Sequence, residues 1–309
     1  MLDSHILIRL TFSILASSAI SPRTGINMFL VRIGMSPEKK YEAFRALHAR
    51  PGIFVIPNPW DAGTAKILAA LGFEALATTS AGCAFSAGLR DVNSELTREI
   101  ILENARRIVD ATDLPVSADL QDGFGRSPEH CAETIRLAVE IGLVGGSIED
   151  ATGDENSPIY DFNLAVERIA ASVEAARKHR FVLTARAENY LHGRSDFDDT
   201  LRRLEAFERA GADVLYAPGL TDIDQIRHLC SAVSKPVNVL VGLKGPRHSV
   251  DELAAAGVKR VSVGGSLARV ALGAFLRAAR GIREHGTFGF SADALSHADA
   301  NQFMKSRSS

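Results

Sequence analysis

Acidic, hydroxyl and guanidinium side chains recur at the ends of short apolar runs in this chain. The run Val116–Leu120 carries Asp119 and leads into Gln121, Asp122 and Gly123. Gly145–Glu149 closes on Glu149 and Asp150, and Phe181–Arg186 closes on Arg186 with Glu188 two residues on. Ala75–Thr79 ends in Thr78-Thr79-Ser80 and opens into the small-residue stretch SAGCAFSAG, followed by Arg90 and Asp91. Carboxylates gathered in one low-dielectric cleft repel each other unless a cation compensates. All-oxygen ligands call for a hard ion. A site sharing its shell with waters and substrate oxygens suits Mg²⁺, with Mn²⁺ the second choice. Arg186 then supplies a planar positive fork for a substrate carboxylate. Such equipment fits a small polyanionic acid and not an apolar ligand.

Something must bring these run ends together. The alternation of apolar runs with amphipathic stretches predicts strands at Ile53–Asn58, Ala75–Thr79, Val116–Leu120, Gly145–Glu149, Phe181–Arg186, Val214–Ala217, Val237–Leu240 and Arg260–Val263. Helices are expected near Ala62–Leu71, Arg98–Ala111, Pro128–Ile141, Leu164–His179, Asp198–Ala210, Asp222–Val233, Ser249–Ala256 and Leu267–Glu284. Eight such units point to an α/β fold, the (β/α)8 TIM barrel, whose catalytic groups sit at the C-terminal ends of the strands. A doubly wound sheet is the rival, disfavoured by the count and by the missing G-x-G-x-x-G after the first strand. An opening helix is expected from Ser36 and Pro37 onward.

The 309 residues carry 35 lysines and arginines against 37 aspartates and glutamates, a net charge of -2. That balance argues against nucleic acid or an anionic membrane as partner. Three scattered cysteines make neither a disulfide framework nor a zinc motif, which suits a reducing, cytoplasmic setting. Residues 1–34 read as a disordered or over-extended leader, 35–290 as the barrel, and 291–309 as a polar tail with a marginal helix.

The segments VSADLQDGFG, GGSIEDATG, LTARAENY and TTSAGCAFSAGLRDVN, each at its own strand end, resemble the isocitrate lyase/phosphoenolpyruvate mutase superfamily. The resemblance implies a (β/α)8 barrel, a dimer or tetramer whose subunits exchange the eighth helix, and cleavage or formation of C–C or C–P bonds beside a 2-oxo acid through an enolate held on Mg²⁺. By position it implies Asp119 as the main metal-side aspartate. Asp91 and Glu149 would hold the ion's waters, and Arg186 would be the substrate arginine. Thr79, Ser80 and Ala81, with Gly82 beside them, would present a hydroxyl and N–H groups to the substrate's carboxylate and oxyanion.

Three positions depart from the pattern. Gln121 stands where many relatives have a second acid; the stretch Ala151–Asn163 lacks the cysteine and histidine of the isocitrate and methylisocitrate lyases; and Ala217-Pro218-Gly219 replaces a mutase histidine. The expectation is therefore a Mg²⁺-dependent C–C lyase of a small 2-oxo- or 2-hydroxy-dicarboxylate, decarboxylating or retro-aldol in type. The alternatives are a C–P bond enzyme and a non-catalytic 2-oxo-acid binder.

Secondary candidates complete the reading. Glu188 would support Arg186, Trp60 would wall the pocket, and Gln121 and Asn238 would bind substrate. Asp122 would cap its turn, and the polar stretch Ala151–Asn163 would close over substrate as a lid. Cys83 lacks a nearby base and is not expected to be a nucleophile. His48, His179, His228 and His285 read as surface residues, and Leu201–Ala210, with Arg202 and Arg203, as a charge-laced solvent face.

Overall fold

In the computed structural model, residues 35–305 are described, apart from Asn93, Leu243 and Lys244. The leader at 1–34 and the last four residues of the tail lie outside them. Eight parallel strands, β1 (Phe54–Ile56), β2 (Leu76–Ala77), β3 (Val116–Asp119), β4 (Gly145–Glu149), β5 (Val182–Arg186), β6 (Val214–Tyr216), β7 (Val237–Leu240) and β8 (Arg260–Ser262), follow one another in space as they do in sequence. β8 pairs with β1, which an open doubly wound sheet would not do. Between β1 and β2 the ladder is replaced by one bond from the Ala77 N–H to the Pro57 carbonyl, 3.1 Å. The result is a nearly closed (β/α)8 barrel.

Helices α1 (Pro37–Ala49), α2 (Ala62–Ala70), α3 (Ser80–Ser86), α4 (Arg98–Ala111), α5 (Pro128–Glu140), α6 (Phe162–His179), α7 (Phe197–Ala210), α8 (Ile223–Ala232), α9 (Val250–Ala255), α10 (Ser266–His285) and α11 (His297–Met304) complete the described chain. Ser36 caps α1 by accepting from the Lys39 N–H, and Pro37 fills its first position, as expected. α3 was expected to be loop. Thr79 caps it, accepting from the Gly82 N–H at 3.4 Å, and small side chains let it pack tightly. A Cβ at Gly82 would lie 2.6 Å from the Trp60 Cβ. The strands are shorter than their apolar runs because burial on both faces continues past the last ladder bond.

α1 closes the N-terminal end of the barrel. Phe44 is fully buried against Phe54, Val182 and Val214. A Cβ on Gly145 would come within 2.6 Å of its ring, so β4 needs glycine there. α11, the helix expected in the tail, docks on α2 through Lys66 Nζ and the Met304 carbonyl, 2.8 Å. α10 buries only Ala268 along its twenty residues, and Phe275 is 72% exposed beside exposed Val270, Leu272 and Leu276.

Candidate functional site

The strand ends surround a cavity of about 210 Å³, small for a drug-sized ligand and suited to a small metabolite. Arg186, at the end of β5, is its electrostatic hub. Nη1 reaches Asp119 Oδ1 at 2.9 Å, Nη2 reaches Glu149 Oε2 at 3.0 Å, and Nε donates to Glu188 Oε1 at 2.8 Å. Asp119 is pinned from several sides. Its Oδ1 also accepts from the Gln121 N–H at 3.3 Å, and its Oδ2 accepts from the Ser80 N–H at 3.3 Å. Its own N–H donates to Thr78 Oγ1 at 3.1 Å.

Of the residues expected at the site, Asp91, Asp119, Arg186, Thr79, Ser80, Ala81 and Asn238 line this cavity. Glu149 and Glu188 stand behind the lining, against Arg186. Gln121 is buried outside the lining. Trp60 and Gly82 also lie off it, packed against each other. The Ser80 N–H, expected to face substrate, is engaged by Asp119. Cys83 is buried, and burial, aided by Asp91, lifts its thiol to about 11, so it remains a thiol.

Burial raises the site's carboxyl pKa values, and neighbouring charges modulate them. Burial raises Glu149 well above the usual carboxylate range, and neighbouring Glu188 and Asp119 add to the rise against the pull of Arg186. Glu188 is raised for the same leading reason. Asp91, exposed as a residue yet lining the cavity, is also raised, by burial and then by Asp119. Burial alone would lower Arg186, but Glu149, Glu188 and Asp119 together raise it strongly.

Three carboxylates on Arg186 and a fourth, Asp91, in the cavity lining leave surplus negative charge. Among the described residues no three His, Cys, Asp or Glu side chains converge as a closed metal cage. The set does fit a hard cation taking few protein oxygens and completing its shell with waters and ligand oxygens. Buried Gln121 Oε1, two residues beyond Asp119, has no hydrogen-bond partner among the described residues and could accept from a water behind the cavity wall.

Supporting residues went partly unnoticed in sequence. Asp150 Oδ1 accepts from the Glu188 N–H at 2.8 Å while Oδ2 takes Arg203 Nη1 at 2.9 Å. Arg203 is therefore buried, correcting the solvent-face reading: an i,i+4 charge pattern cannot show which turn meets a buried acid. Asp122 caps its turn as expected, accepting from the Phe124 N–H at 2.9 Å. Tyr160, from the expected lid, is buried with its hydroxyl donating to Asp122 Oδ2 at 3.3 Å. Arg168 fastens the same turn through the Asp122, Gly125 and Arg126 carbonyls. Asn58 spans the unladdered seam, donating to the Thr78 carbonyl at 3.0 Å and accepting from the Val263 and Gly264 N–H groups at 2.9 Å.

His48 corrects the surface reading as well. Its ring lies edge-on to Phe44 and Phe54, with Nε2 3.2 Å from Arg260 Nη1. An arginine only donates, so Nε2 carries the lone pair and Nδ1–H points to the Phe44 carbonyl at 2.8 Å. Burial, then Arg260, holds His48 neutral, with its pKa down to about 3. The signal for Arg260 was visible: a charged residue opening an otherwise apolar strand.

Comparison with known proteins adds to the geometry. The family model described as phosphoenolpyruvate phosphomutase matches residues 44–283. A crystal structure from Burkholderia cenocepacia J2315, provisionally described as a lyase/mutase, is 60% identical. It covers 88% of this chain and 97% of that one with a TM-score of 0.85. Another from the same organism, provisionally described as a phosphonomutase, is 35% identical, covering 79% and 99% with a TM-score of 0.72. The 2-methylisocitrate lyase of Escherichia coli (strain K12) is 30% identical over 233 residues, 72% of this chain and 78% of that protein.

Proposed function

The chain belongs to the isocitrate lyase/phosphoenolpyruvate mutase superfamily of C–C and C–P lyases and mutases. From that premise we propose that it is a Mg²⁺-dependent carbon–carbon lyase of a small 2-oxo- or 2-hydroxy-dicarboxylic acid. The observation that carries the reading is the Asp119–Arg186 pair, 2.9 Å apart and facing a small cavity flanked by a further acid, Asp91.

Each residue has a role that follows from its contacts. Arg186 hydrogen-bonds Glu188 through Nε and Asp119 through Nη1 and ion-pairs with Glu149 through Nη2, which leaves N–H groups for a substrate carboxylate at the cavity wall. Glu188 and Glu149 fix the guanidinium plane, so the substrate meets a pre-oriented fork. Thr79 and Ala81, at the start of α3, face the same space and can position the acid's oxygens. A divalent cation held by Asp119, with Asp91 and Glu149 around its waters, would supply charge neutralisation and polarise the 2-oxo group. The chain offers no cysteine acid at Ala151–Asn163, where Ala151 instead bridges Ile159. Cleavage that expels carbon dioxide removes no hydroxyl proton and leaves an enolate that solvent can protonate, so it makes a smaller demand on protein acid–base groups than a retro-aldol step.

Incubating the protein with Mg²⁺ and a panel of 2-oxo and 2-hydroxy dicarboxylates tests this. Turnover that chelation abolishes, and that Asp119→Ala lowers by about a thousandfold, is the expected result. No turnover with Mg²⁺ or Mn²⁺, or an Asp119→Ala enzyme equal to wild type, overturns it. The phosphomutase family model and the phosphonomutase-like relative favour a second reading, C–P bond chemistry. Phosphorus NMR of phosphonopyruvate with the enzyme separates the two.

Assembly belongs to the proposal as well. The exposed apolar residues of α10 suit burial against a second copy of the chain. Sedimentation velocity should show a dimer or tetramer at micromolar concentration, and a monomer would refute it. Among the described residues no helix is long and apolar enough to cross a membrane.

A further inference from the structure

Arg260 opens β8 and projects across the barrel interior. Nε donates to Asn238 Oδ1 at 2.8 Å, Nη2 to Thr184 Oγ1 at 3.0 Å, and Nη1 to His48 Nε2 at 3.2 Å. The residue is 5% exposed and lines the same cavity as Arg186. Its partners show that it sits deeper. His48 belongs to α1, the helix closing the N-terminal end of the barrel. Thr184 precedes Arg186 by two residues on β5, about 6.5 Å down the strand.

Every acceptor around Arg260 is neutral. Among the described residues no carboxylate comes within ion-pair distance of it, whereas Arg186 holds three. His48 is kept uncharged, and burial raises the Tyr216 phenol far above neutrality. Burial pulls Arg260 itself down to about 10, which leaves it a cation at neutral pH. Two of its five N–H donors have no partner among the described residues. A buried cation without a counter-ion is costly, and the one open side of this one is the cavity.

We propose that Arg260 binds a second anionic group of the substrate at the cavity floor, so that the site selects small acids that are anionic at both ends. The inference rests on reading the cavity as a small-acid site, but it requires neither a metal nor turnover. Within the barrel the three neutral bonds hold the guanidinium in place, and the ligand supplies the missing charge. A monoanion can satisfy only one of the two arginines.

The test uses calorimetric titration in EDTA with succinate and with butyrate, its monoacid counterpart of equal carbon count. Wild-type protein should bind succinate about 30-fold more tightly than butyrate. R260Q should bring the two affinities to within about threefold of each other, and R260K should retain part of the preference. A purely structural Arg260 would instead lower thermal stability and leave the ratio intact. An unchanged ratio in folded R260Q, or a wild type that does not prefer succinate, overturns the proposal. Should R260Q fail to fold, wild-type crystals soaked in succinate decide: a carboxylate on the Arg260 Nη atoms supports it, and density elsewhere refutes it. Because binding is read without metal or product, a failed lyase assay leaves this result standing.

Discussion

Two arginines share one cavity and live in opposite electrostatic surroundings. Arg186 at the mouth is surrounded by Asp119, Glu149 and Glu188, and there the carboxylates carry the strain. Arg260 at the floor has Asn238, Thr184 and a neutral histidine, and there the cation carries it. The mouth has surplus negative charge and the floor surplus positive charge. A cation entering with a dianionic acid would relieve both at once. The same residue type thus serves two ends because its neighbours differ.

That contrast can be broken most sharply at the mouth. Arg186→Gln should cost about a thousandfold in turnover, because it removes the substrate fork and leaves three carboxylates facing one another. Equal kcat/KM in wild type and R186Q would show that the mouth arginine only holds the barrel rim.

The two ends should also titrate in opposite directions. His48 has a folded pKa below its unfolded value, so the stability it confers is complete above about pH 6.5 and is lost as the pH falls toward about 3. The loss should reach about 3 kcal/mol by pH 4. His48→Gln keeps an acceptor for Arg260 without titrating, and its urea midpoints should lack that acid slope. A mutant with the wild-type acid limb would place the titrating group elsewhere.

Glu149 runs the other way and with a smaller effect. Its folded pKa is raised, so the folded state favours the neutral acid. Stability falls as the pH rises from the unfolded value, 4.5, through the folded one. Glu149→Gln should therefore stabilise the metal-free protein at pH 8 and have little effect near pH 4. Added Mg²⁺ should narrow the difference by stabilising wild type preferentially. Thermal melts at both pH values check this, and an E149Q protein less stable at pH 8 would show that its bond to Arg186 outweighs the crowding.

Much of the site was legible in the chain because barrel topology turns a linear rule into a spatial one. Residues closing successive apolar runs must share a rim, and Asp119, Glu149 and Arg186 do. Asp91, Thr79 and Ala81 arrived there through short connections. What escaped depended on direction within an element. Ser80 presents its N–H to Asp119, Gly82 packs on Trp60, and Gln121 lies outside the cavity lining. α3 escaped because seven residues, all small but Phe85, carry weak periodicity. Arg203 and His48 were misjudged because helical spacing fixes neighbours along a helix and is silent about what the next element brings against it.

The order of strands, the barrel's existence and the pooling of acids at one end were determined by sequence alone, since hydrophobic period and strand-end chemistry are local properties. The tertiary structure decided the balance of charge: which carboxylates meet Arg186, and that none meets Arg260. Electrostatic energy depends on distances between residues far apart in the chain and on the water excluded between them, and neither exists until the barrel has closed.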